Sequence, residues 1–173
     1  MAWPLHSAAG SNYFFKALLT MTKLPAHTSI TVPFAAFLMD LAALGVKPVT
    51  SGGLRYRVIN ARSNQRSWLL PLDNRRAAAA GLHMMQPVTP TAKLAKAGAQ
   101  VIARFGPHAL LGQAEWRMSG LPDLGDAFDR RVAHMSFFTG TDGPHRKTSM
   151  QLMDSDGLIL GYAKMSRTPH VRP

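Results

Sequence analysis

The chain has 173 residues, 46% of them apolar and 17% charged, with a formal net charge of +11 and no cysteine. That is enough apolar material for a sizeable core and too little charge for general disorder, and the missing thiols exclude a disulfide framework and thiolate chemistry. The seven histidines show no metal-ligand spacing, so no metal site is expected.

The charge is uneven. Up to Gln113 there are twelve Lys and Arg against only Asp40 and Asp73, whereas Glu115 to Pro173 carries eight against seven. A positive field of this kind favours polyanionic partners. The start, Met1-Ala2-Trp3-Pro4, lacks a basic leader, with the first lysine at position 16, and the apolar run Val32 to Val46 is interrupted by Asp40. It is shorter than the roughly 20 residues a membrane span needs. No transmembrane segment and a cytoplasmic location are therefore expected.

In chain order, Pro33 to Leu44 predicts a core helix, with Phe34, Phe37, Leu38, Leu41 and Leu44 at helical spacing and Gly45 at its end. Leu54 to Ile59 alternates as a half-buried strand, and Trp68 to Leu72 reads as its return. Asp73 is placed to cap a short helix from Arg75 that Gly81 closes. A second helix is expected over Ala92 to Phe105, capped by Thr91, with Leu94, Ala97, Val101 and Phe105 as its apolar seam and Lys93, Lys96, Gln100 and Arg104 facing elsewhere. Between Leu121 and Arg131, Asp123, Asp126 and Asp129 would make one acidic helix face.

From Ala133 the period becomes two. Met135 and Phe137, then Met150 and Leu152, then Leu158, Leu160 and Tyr162 alternate with their neighbours, and Asp154-Ser155-Asp156-Gly157 is a compact turn. Three antiparallel strands are predicted near 133–139, 147–153 and 158–165. The fold class is therefore α+β: helices with a small β-hairpin region over residues 1–131, then a three-stranded antiparallel sheet over 132–173.

Phe137-Phe138-Thr139-Gly140 to Lys147-Thr148 and Leu160-Gly161-Tyr162-Ala163-Lys164 give this last unit a resemblance to the N-terminal lobe of protein-kinase-like phosphotransferases. It looks most like the aminoglycoside-phosphotransferase-like proteins of bacterial polysaccharide pathways. The resemblance implies weak ATP binding, with Gly140, Thr141, Gly143 and Lys147 in the loop over the phosphates and Lys164 on the α- and β-phosphates. Tyr162, on the same face as Lys164, would stack on the base or block it. The turn is Gly140-x-x-Gly143 rather than the fuller G-x-G-x-x-G, and Met165 to Pro173 contains no carboxylate. The resemblance thus implies a lobe truncated before its catalytic half, without catalytic or metal-binding residues and inactive unless another polypeptide supplies them.

A nucleic-acid-binding module is the competing reading. Arg55, Arg57, Arg62, Arg66, Arg75 and Arg76 crowd a region that also holds Tyr56 and Trp68, a mixture suited to phosphate contact and base stacking. A structural or protein-interaction role is the third. A self-contained enzyme is the weakest class, since no nucleophile elbow or H-E-x-x-H occurs and Glu115 is the sole glutamate.

Overall fold

Helices cover both faces of a single antiparallel sheet in the computed structural model, which describes residues 32–61, 66–107, 110–111, 114–124, 128–140 and 147–165. The elements are α1 (Val32–Ala43), β1 (Lys47–Pro48), β2 (Leu54–Asn60), β3 (Ser67–Pro71), α2 (Arg75–Gly81), a 3-10 turn (Leu82–Met84) and α3 (Pro90–Phe105). They are followed by β4 (Ala114–Ser119), β5 (His134–Phe138), β6 (Thr148–Met153) and β7 (Ile159–Met165). The strands form one seven-stranded sheet in the order β1-β4-β2-β3-β5-β6-β7. The α+β class holds, but the expected sheet of three strands is part of one of seven. Pairing of Trp68 with Phe138 and Leu69 with Phe137 joins the terminal meander to the earlier hairpin.

Alternation along the strands divides the core in two. Val58, Leu69, Phe137 and Met150 stand in register on one face and pack against Phe37, Leu38 and Leu41 of α1. Phe37 and Tyr56 both hold their rings 5.7 Å from Phe137, within the range where aromatic pairs add to simple burial. On the other face Leu70 packs with Ala78, Ala79 and Leu82, and with Ala103 of α3. The last turn of α2 comes very close: a Cβ on Gly81 would run into the Ser136 hydroxyl and lie 2.8 Å from Leu70 Cδ2. Glycine is there for contact and not to close the helix, since its backbone is ordinary right-handed helix.

Four local expectations are corrected. Asn74, not Asp73, caps α2, its side-chain oxygen accepting from the N–H groups of Arg76 and Ala77; Asp73 instead binds Arg55 across 18 residues. Thr89, not Thr91, caps α3, which leaves Pro90 in the first turn, where its missing N–H costs nothing. The seam foreseen on α3 faces solvent: Leu94, Val101 and Phe105 are 76%, 61% and 71% exposed. The inward side carries Ala99, Ile102 and Ala103, which pack with Ala78, Ala79 and Leu82. Finally, residues 121–124 and 128–131 form no helix, so Asp123 and Asp129 share no helical face; Asp126 lies outside the described residues. No helix among the described residues is long and apolar enough to cross a membrane.

Candidate functional site

Five side chains stand in one register row across the face that α2 and α3 partly cover. Ile59 pairs with Trp68, Trp68 with Phe138, Phe138 with Ser149 and Ser149 with Lys164. Directly paired residues project to the same side of a sheet, so this row runs from the hairpin to the exposed Lys164 on the edge strand β7. The next row, Ser136–Gln151–Tyr162, is buried at its first two members, with Ser136 beneath α2, while Tyr162 is 59% exposed. Gly81 against Ser136 is what seals it. A ligand on this face therefore meets the Phe138–Ser149–Lys164 row.

Gly140 follows β5 by two residues and lies at the same end of the sheet as Lys164. Its φ of +75° belongs to the left-handed region, and a Cβ there would run into the Lys147 carbonyl oxygen. The chain needs glycine at this position to close the β5–β6 connection, whatever the loop binds. Thr139, just before it, ties the loop base to β3: its N–H donates to the Ser67 carbonyl at 3.0 Å and its hydroxyl accepts from the Ser67 N–H at 3.0 Å. Lys147 is exposed at the far side of the loop. Thr141 and Gly143 lie outside the described residues, as does Arg62. Among the described residues no three His, Asp or Glu side chains gather as metal ligands.

The described arginines of the competing reading have different partners. Arg55 gives Asp73 both its backbone N–H, at 3.0 Å, and its side-chain Nε, at 2.9 Å; that side-chain hydrogen bond raises the arginine's already high pKa. Arg57 lies 3.9 Å from Glu115 on β4, and Arg76 lies 3.9 Å from Asp156 in the β6–β7 turn. Arg75 donates to the Phe105 carbonyl at the end of α3. Surface pairs of this kind are weak, so they leave the charge in place but turn it toward different neighbours.

Arg66 and Trp68 do come together. They line a groove of about 680 Å3 between the sheet and the start of α3, with Phe138, Met84, Met85 and Lys96. Trp68 and Phe138 stack with centroids 5.1 Å apart. Sequence reading recognised the tryptophan and arginine and missed the rest. Helical spacing alone only turns Lys96 away from the apolar seam, and no local pattern places a helix over a strand end.

No protein-family profile matches the chain, nor does any curated protein or solved structure.

Proposed function

We propose that β5, β6 and β7 form the nucleotide-phosphate-binding part of a kinase-like phosphotransferase. The observation that carries this reading is the placement of Lys164 opposite Ser149 and, through it, Phe138, two residues before the Gly140 turn. A lysine and a glycine turn thus share one end of a three-stranded meander. In this reading the Lys164 ammonium acts as a point charge on the phosphates, Ser149 offers a hydroxyl beside it, and the Gly140 turn supplies backbone N–H. These groups bind and orient. Transfer of the phosphoryl group calls for carboxylates and a metal contributed by another polypeptide segment. The family resemblance sets the context in cell-surface polysaccharide synthesis.

ATP titration followed by NMR tests the proposal. The expected response is movement of the Gly140, Ser149 and Lys164 signals with an affinity on the order of millimolar, because only part of a nucleotide cleft is present. Lys164→Met should weaken it about tenfold, the loss of one charge-assisted contact. Signals that stay unmoved at those three residues would overturn the assignment and leave Lys164 as the edge-strand charge that discourages sheet-to-sheet association.

A further inference from the structure

The outward side of α3 borders a groove at the opposite end of β7 from Lys164, independent of the nucleotide reading. About 580 Å3 in volume, it lies where α2, α3 and the β6–β7 turn meet. Val101 and Phe105 line it from α3, Ala79 and Ala80 from α2, and Leu158, 55% exposed, from the turn. Leu94 and Ala97 continue the apolar line toward the start of α3, because positions 94, 97, 101 and 105 fall on one side of a helix. From Leu94 to Phe105 the line is about 16 Å long, three helical turns. Contiguous exposed apolar surface marks a contact site, whereas single exposed apolar residues are ordinary. The turn is tied to α2: a Cβ on Gly157 would lie 2.6 Å from the Ala77 backbone nitrogen, and Asn74 Nδ2 donates to the Ser155 carbonyl at 2.7 Å. That wall of the groove is thus anchored before anything binds.

Charge points to the occupant. Lys93 and Arg104 are exposed, lie three turns apart on the same flank of the apolar line, and belong to a helix with no acidic residue. Arg104 holds its guanidinium 5.7 Å from the Phe105 ring, a contact with the ring face that does not consume its N–H donors. Across the groove Arg76 is 3.9 Å from Asp156, an exposed and therefore weak pair that a second carboxylate can share. We propose that this groove docks an amphipathic helix of another protein, with aliphatic anchors on one face and aspartates or glutamates beside them. The anchors enter between Val101, Phe105 and Leu158, and the carboxylates meet Lys93, Arg104 and Arg76. A second copy packed through the same face would set Lys93 and Arg104 against like charges, and residues 1–31 of this chain contain no Asp or Glu. A bilayer surface favours a projecting apolar face, whereas Val101 and Phe105 line a recess with Asp156 in its wall.

The probe is a synthetic helical peptide of about five turns, with leucines at i, i+3, i+4 and i+7 spacing and glutamates flanking them, titrated into the full chain by NMR. A control peptide carries lysines in place of the glutamates. The glutamate peptide should shift Val101, Phe105 and Leu158, leave Gly140 and Lys164 in place, and bind at least about tenfold more tightly than the lysine peptide. Val101→Gln combined with Phe105→Gln should cost at least about tenfold in affinity and melt like the parent, because both side chains are exposed. Arg104→Glu should narrow the difference between the two peptides. Equal affinity for both peptides would overturn the proposal, and so would binding of the glutamate peptide that survives the double glutamine variant, since charge alone would then account for it. Three other results would assign the face to a different occupant and overturn it equally: NMR contacts between Val101 and residues 1–31 in the free chain, a dimer that Val101→Gln dissolves, or phosphatidylglycerol vesicles that shift Val101 and Phe105 where the peptide does not.

Discussion

Thr148, the first residue of β6, donates a hydrogen bond of 2.8 Å to the carboxylate of Asp40 in α1, across 108 residues, and both side chains are buried. It is a buried polar link between α1 and the sheet. Its partners are fixed from both sides: Asp40 lies in α1 beside Phe37 and Leu41, and Thr148 starts the strand that carries Met150 and Leu152. Thr148→Val keeps the shape and removes the donor, so the variant should lose about 1–3 kcal/mol in urea denaturation. Thr148→Ser should recover most of it. A valine variant as stable as the parent would mean that the hydrogen bond does not hold α1 to the sheet.

Acid should loosen the β6–β7 turn. Hydrogen bonds hold the Asp154 carboxyl below its ordinary pKa of 3.8, first the Leu158 N–H and then the Asp156 N–H, with Arg130 at 3.3 Å adding its charge. A depressed carboxyl gives stability that is complete above the unfolded value and is lost as pH falls through the folded one. The window therefore opens near 3.8 and extends downward. Asp154→Asn should be less stable than the parent at neutral pH, and the difference should shrink below pH 3.8. Parallel stability curves for the two proteins across that range would contradict this.

Gly140→Ala should destabilise the chain independently of any ligand, because the left-handed backbone and the Lys147 carbonyl both oppose a Cβ. A penalty of about 1–3 kcal/mol is expected from a strained position of this kind. Lys164→Met, at an exposed edge, should stay within about 0.5 kcal/mol of the parent. Thermal melts of both variants check the contrast. If the alanine variant melted like the parent, the glycine would have to be explained by its loop's ligand alone.

The outward side of α3 predicts a second contrast. Leu94→Gln and Val101→Gln alter side chains that are 76% and 61% exposed, and each should change stability by no more than about 0.5 kcal/mol. Ala103→Gln enters the fully buried contact with Ala78 and Ala79 and should cost about 1–3 kcal/mol through overpacking. Urea midpoints would show the reverse order if the seam faced inward.

Local chemistry was enough for some of this protein. Period-two alternation located β5, β6 and β7 and the β2–β3 hairpin, helical spacing placed Phe37, Leu38 and Leu41 in the core, and the Asp154 turn was evident from its composition. These signals lie within a few residues of one another, where backbone geometry dictates which side chains share a face. Tertiary structure decided what lies farther apart. Pairing of Trp68 with Phe138 made one sheet of seven strands, and the close fit of Gly81 on Ser136 sealed one row of it and left the next open. The same holds for α3, whose larger apolar residues match a buried stripe by period alone. Its orientation was set by the alanines of α2, a partner that only packing could identify, and that choice put Lys96 rather than Leu94 over the groove beside Trp68.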